Sequence, residues 1–128
     1  KASKVAVVAP YLPALTESVC DYLHAENIEV VSSCSLSVDD NLEVGRLDQR
    51  QLLEIARTLP EDVDAVVLSA CVQMPSLDVI EEAEKMLGKP VISAATATVY
   101  QIMKTLEIPP RIVGYGDLLA GKLDQKVN

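Results

Sequence analysis

Residues 63–94 read VDAVVLSACVQMPSLDVIEEAEKMLGKPVISA. The segment opens on Val63–Leu68, a short apolar run with the β-branched character of a buried strand. Ser69–Pro75 reads as a turn. Ser76 is placed to cap a helix whose Val79, Ile80, Ala83, Met86 and Leu87 share one face. Gly88 stands where a helix ends on a left-handed residue, and Pro90–Ser93 follows as a second short strand. Strand, helix and strand within about thirty residues make a βαβ unit. Its two strands must run parallel, joined by a right-handed crossover.

The alternation continues on both sides. Lys4–Ala9 (KVAVVA) reads as a buried first strand ended by Pro10. Leu15, Val19 and Leu23 recur at i, i+4 and i+8, which predicts a helix over Pro13–Ala25 with Pro13 in its first turn. Ile28–Ser32 reads as the second strand, and residues 33–45 as a polar, irregular connection. Asp48 and Gln51 form a candidate capping box for a helix carrying Leu52, Ile55, Ala56 and Leu59, stopped at Pro60. After the fourth strand, Val99, Ile102, Met103 and Leu106 mark a last helix that closes before Pro109. Arg111–Gly114 is a candidate fifth strand. The expected architecture is α/β: a three-layer sandwich whose four- to five-stranded parallel sheet has the flavodoxin-like order 2-1-3-4. Residues 1–119 are read as one domain and residues 120–128 as a polar tail expected to fray.

Composition narrows the function. Of 128 residues, 49% are apolar and 23% charged, enough for one core and too apolar for a disordered chain. Nineteen acidic residues against 11 basic give a net charge of −8, which argues against a nucleic-acid partner. No apolar run reaches the ~18–20 residues of a membrane span, and no secretory leader pattern opens the chain. Lys1 in place of a Met is what a processed product or a piece of a longer chain would show. Four Tyr with no Phe or Trp leave a core of Val, Leu, Ile and Ala. Cys20, Cys34 and Cys71 form no CxxC, and His24 has no partner at zinc spacing, so the expectation is no metal, free thiols and a reduced, cytoplasmic setting. Neither GxGxxG nor GxxxxGK[ST] is present, which disfavours a nucleotide.

In parallel sheets, ligands sit beyond the carboxyl ends of the strands. That rule selects Pro10–Tyr11, Cys34–Asn41, Ser69–Gln73 and Ser93–Thr96. Cys71 falls in the turn before the helix of the opening segment, where turn amides and a helix N-terminus favour a thiolate able to act as nucleophile or proton carrier. The competing reading is a small buried apolar residue. Tyr11 either donates its hydroxyl to an anionic oxygen or covers the sheet end. Asn41 either binds a carboxylate or stabilises a turn. Ser93, Thr96 and Thr98 read more naturally as helix caps than as ligand contacts. Cys34 is a weaker candidate, Cys20 is read as packed and His24 as solvated. Asp39 and Asp40 lack a third ligand for a metal.

Three stretches carry a resemblance: VAVVAPYLPAL with Tyr11, DNLEVGRL with Asn41, and VVLSACVQMPSLDVIEEAEKMLGKPVISA with Cys71. RIVGYGDLL near the end adds weaker support. Over roughly Val5 to Leu119 the chain resembles the aspartate/glutamate racemase superfamily, and within it the maleate cis–trans isomerases most, with arylmalonate decarboxylases as near relatives. The resemblance implies two similar α/β domains about a pseudo-two-fold axis, with one cysteine or its replacement from each lining the site between them. This chain resembles the second domain, so its partner would be the N-terminal domain of the same enzyme. The implied chemistry is cofactor-free. A cysteine of the other half adds to a small dicarboxylate, maleate, and Cys71 is the partner acid/base. Tyr11, Asn41 and the backbone N–H of Val72 would hold the carboxylates. The alternatives are a decarboxylase-like or racemase-like half, or an inert anion-binding fragment. A lone half with an uncovered apolar face is also expected to form a homo-oligomer.

Overall fold

Five consecutive residues, Val5 to Ala9, are buried. A strand shielded on both faces needs no polar alternation, so the KVAVVA run becomes the centre of the sheet as β1 (Lys4–Ala9). The computed structural model describes residues 1–69 and 74–124. In chain order the further elements are α1 (Pro13–Ala25), β2 (Glu29–Ser35), α2 (Asn41–Val44), α3 (Arg50–Ala56), β3 (Ala65–Leu68), a 3₁₀ turn at Leu77–Val79, α4 (Ile80–Leu87), β4 (Val91–Ser93) and α5 (Ala94–Thr105). All strand pairs are parallel and the order is β2-β1-β3-β4, as the alternation implied.

The period of two along β1 divides the core. Ala6 and Val8 face the larger cluster, built from Leu52 and Leu53 of α3, Ile80 and Ala83 of α4, and the sheet residues Val66 and Val91. Val5 and Val7 face a smaller cluster with Ala65, closed by Leu23 of α1 and by Ile28, Val30 and Val67. Register aligns Ala9 with Ser35, Val8 with Leu68, and Leu68 with Ser93. The four carboxyl ends therefore finish level, and the loops that follow them share one edge.

Several local expectations are corrected. The second strand starts at Glu29 and runs on to Ser35, because it pairs with β1 along its whole length. The polar connection after it contains the short α2. Asp48 makes no reciprocal capping box: its Oδ1 accepts the Arg50 N–H at 2.9 Å, and α3 begins from Gln49 with no side-chain cap. Ser76 likewise makes no side-chain cap, and the 3₁₀ turn separates it from α4. Gly88 does end α4 in the left-handed region, at φ +66°.

The candidate fifth strand at Arg111–Gly114 is not a strand, and the sheet has four among the described residues. Pro109 and Pro110 lack N–H donors just before it, and Gly114 and Gly116 turn the chain at φ +98° and +99°. The outer edge of β4 is met by a side chain instead. Glu84, 7% exposed on α4, accepts the Val91 N–H at 3.0 Å and the Asp117 N–H at 2.8 Å. A Cβ at Gly116 would come within 2.7 Å of Ile80 Cγ2, so this turn tolerates only glycine. Residues 120–124, expected to fray, are wound into turns through Ala120 N–H to Gly116 O and Lys122 N–H to Asp117 O, both 3.1 Å.

Burial pushes the Glu84 carboxyl above the ordinary carboxylate range. The two N–H donors oppose the shift, Asp117 adds to it, and Lys122 opposes it. A carboxyl raised on folding binds its proton more readily in the native state. Its stabilising contribution is complete below the ordinary value of 4.5 and is lost as pH rises through the native one. Glu84→Gln turns an amide N–H₂ toward one of the two backbone donors and is expected to cost about 1–3 kcal/mol. Urea unfolding of both proteins checks this, and the wild type's advantage should widen as pH falls from 7 toward 4.5.

Candidate functional site at the carboxyl edge of the sheet

Tyr11 follows β1 directly and is held by its own backbone. The Ala9, Pro10 and Tyr11 carbonyls accept N–H groups from Leu36 (2.8 Å), Val38 (2.9 Å) and Ser37 (3.1 Å). The β1–β2 pairing thus continues past both strand ends. The Tyr11 carbonyl accepts a second bond from Ser35 Oγ at 2.6 Å, and Ser35 Oγ lies 2.7 Å from Thr16 Oγ1. The Tyr11 side chain is half-buried against the larger core cluster. Its hydroxyl meets the Ser69 hydroxyl at 3.5 Å, a long contact just beyond β3. Ser69 is itself fixed by its N–H, which donates to the Val8 carbonyl at 2.7 Å.

Asn41 opens α2 on the same edge and is exposed. The turn role considered for it belongs to its neighbour: Asp40 Oδ1 accepts the Leu42 N–H at 2.8 Å and caps the helix. Cys71 and Val72 lie outside the described residues. In sequence they lie between Ser69, whose hydroxyl meets that of Tyr11, and the buried Met74.

Ser93 and Thr96 are spent on structure. Ser93 N–H donates to Thr96 Oγ1 at 2.9 Å and Thr96 N–H donates to Ser93 Oγ at 3.1 Å, a reciprocal capping box buried at the start of α5. Thr98 Oγ1 donates to the Ala94 carbonyl at 2.8 Å. Cys34 lies half-buried on β2 against the core, and Cys20 is half-buried on α1. His24, read as solvated, is exposed but engaged: its Nε2 accepts the Val30 N–H at 3.1 Å. Among the described residues no cluster of three or more His, Cys, Asp or Glu is placed to hold a metal ion. No helix there is long and apolar enough to cross a membrane.

Sequence reasoning missed Thr16, and it gave Ser35 and Ser69 no role of their own although both lie in the stretches selected at the carboxyl edge. The apolar stripe of α1 passes through Leu15, yet Leu15 is 52% exposed and Thr16 is 3% exposed. The inward face runs through Thr16, Cys20 and Leu23, at i, i+4 and i+7. A threonine on that face is the signal that could have found it. Around the edge stand three exposed leucines: Leu12 beside Tyr11, Leu42 beside Asn41, and Leu77 at the 3₁₀ turn.

Residues 1–119 match the sequence model of the arylmalonate decarboxylase family. The chain belongs to that family. It falls within the aspartate/glutamate racemase superfamily that its motifs resemble. The maleate isomerase of Geobacillus stearothermophilus is 52% identical to this family member over 122 residues, which are 94% of this chain and 49% of the relative. The crystal structure of the maleate isomerase Iso from Pseudomonas putida S16 aligns with a TM-score of 0.90 at 48% identity, over 94% of this chain and 49% of that one. A cysteine-to-serine mutant of the Nocardia farcinica maleate cis-trans isomerase, with a covalently bound succinylcysteine intermediate, aligns with a TM-score of 0.89 at 45% identity, over 93% and 49%. The chain spans about half the length of the relatives it matches.

Because Ser93 caps α5 with its hydroxyl, Ser93→Ala should lower the unfolding free energy by about 1–2 kcal/mol. Denaturant unfolding at neutral pH measures it.

Proposed function

We propose that this chain is the C-terminal half of a cofactor-free maleate cis–trans isomerase, with Cys71 as the acid/base partner of a nucleophilic cysteine in the N-terminal half. The observation that carries the reading is the 52% identity to a maleate isomerase over nearly the whole chain. It is supported by the half-buried Tyr11 hydroxyl at the carboxyl edge and by the succinylcysteine adduct of the Nocardia relative.

In this reading, the thiolate of the other half attacks one vinyl carbon of maleate and forms a C–S bond. The π electrons move toward the second carbon and its carboxylate. Cys71 gives its thiol proton to that second carbon, leaving a succinyl adduct joined by a single C–C bond that can rotate. The Cys71 thiolate then takes a proton back from that carbon. The double bond re-forms, the C–S pair returns to sulfur, and fumarate leaves. Each thiol ends as it began.

The substrate is a dianion and the chain carries −8, so the overall field opposes its approach. Binding must come from short-range donors: the Tyr11 hydroxyl, the Asn41 amide and the Val72 N–H. In a cleft shielded from water, each is stronger than in solution. The leucine rim of Leu12, Leu42 and Leu77 suits burial against the other half, and the isolated chain is expected to self-associate through such surface. Sedimentation over a wide concentration range checks this, and a strict monomer throughout contradicts it.

The isolated chain should convert no maleate, whereas the two-domain protein that contains it should yield fumarate. Within that protein, Cys71→Ser is expected to lower kcat by about 10²–10⁴-fold, the usual worth of a positioned acid/base. Near-normal turnover by the variant, or turnover by the half alone, overturns the reading. A decarboxylase reading is favoured by the family match. It requires release of carbon dioxide from an arylmalonate and no cysteine at the nucleophile position of the other half.

A further inference from the structure

We propose that Thr16, Ser35 and Ser37 are positioning residues that aim Tyr11 into the cleft, and so set the affinity for the dicarboxylate. The inference rests on the assignment of Tyr11 to substrate binding. Donor and acceptor arithmetic fixes the direction of the contacts. The Tyr11 carbonyl only accepts, so the single Ser35 hydroxyl proton must point at it. Ser35 Oγ therefore accepts from Thr16, and the Thr16 proton is committed to the 2.7 Å contact rather than to the Leu12 carbonyl at 3.5 Å. The result is a one-way relay, Thr16 to Ser35 to Tyr11, whose members reinforce one another. Its first member is buried on α1.

Ser37 supplies an independent observation. Three non-glycine residues among those described have positive φ: Asn27, Ser37 and Glu107. Asn27 and Glu107 stand just past the C-caps of α1 and α5, where a left-handed residue commonly ends a helix. Ser37, at φ +57°, follows no helix. A left-handed non-glycine residue costs about 1–2 kcal/mol, and such strain persists where the surroundings enforce it. Here it lets the Ser37 N–H reach the carbonyl that Ser35 also holds. With Pro10 buried on one side, both bonds on that carbonyl fix the backbone at Tyr11. They fix the direction of its side chain in turn. Ser69, donating to the phenol oxygen, leaves the phenol proton free for an anionic oxygen.

The test uses the full two-domain protein with Ser35→Ala, Thr16→Val, Tyr11→Phe and the Ser35→Ala/Tyr11→Phe pair, and Ser35→Thr as the conservative control. Ser35→Ala should raise KM for maleate about tenfold, the worth of one hydrogen bond of roughly 1.4 kcal/mol, with kcat changed much less. Ser35→Thr should restore most of the loss. In the Tyr11→Phe background, Ser35→Ala should add little, because both act through one side chain. Carbonyl NMR of carbon-13-labelled Tyr11 needs no substrate: Ser35→Ala and Thr16→Val should move that resonance and leave those of the Val5–Val7 cluster in place. An unmoved Tyr11 carbonyl, or a KM effect undiminished by Tyr11→Phe, overturns the proposal. Absence of maleate turnover in the wild type instead overturns the isomerase reading, and the carbonyl resonance still decides the positioning. If Ser35→Ala fails to fold, Thr16→Val carries both measurements.

Discussion

The parallel pairing of β1 with both β2 and β3 is the constraint on which the rest depends. Buried on both faces, β1 has no polar side, and its backbone groups are satisfied only by neighbours lying on each edge. Those pairings fix the register, and the register brings four strand ends to one level. Tyr11 and Asn41 come to that edge because of it. The pairing does not stop where the strands do: it runs on through Leu36, Ser37 and Val38, which hold the carbonyls of Ala9, Pro10 and Tyr11. The scaffold and the site are in this sense one hydrogen-bond ladder.

The polar groups sunk into the molecule divide into two kinds. Glu84 and the Ser93–Thr96 pair secure elements on the β4 side, where an edge strand and a helix start would otherwise leave N–H groups unpaired. Thr16 and Ser35 secure a loop at the ligand edge. The first kind explains why the sheet ends at β4 without a further strand. The second fixes the backbone of the turn after β1, where the Tyr11 carbonyl accepts from both Ser35 and Ser37.

Much of the fold was legible. The opening segment alone specified a βαβ unit, and KVAVVA could hardly be other than a central strand. Boundaries were less legible. The polar stretch Ser33–Ser35 reads as a loop but extends β2, because β1 alongside it supplies partners that the local sequence does not advertise. RIVG reads as a strand, but the prolines before it, its own left-handed Gly114 and the Glu84 carboxyl on the β4 edge keep it out of the sheet. Asp48 and Ser76 carry capping chemistry yet cap nothing reciprocally, since a cap depends on the entry angle of the chain.

At the site, the sequence by itself determined the residue types and the strand end at which Tyr11 stands. Hydrophobic periodicity sets the strands, and strand order sets the edge where ligands are met. Only the tertiary structure decided which neighbours serve them. Asp40 rather than Asn41 became the cap. Leu15 turned outward and Thr16 inward. Ser35, on another strand, came to share a carbonyl with Ser37. Such choices depend on how α1 is turned about its axis and on contacts such as that between Thr16 and Ser35, 19 positions apart, and neither leaves a periodic mark on the chain.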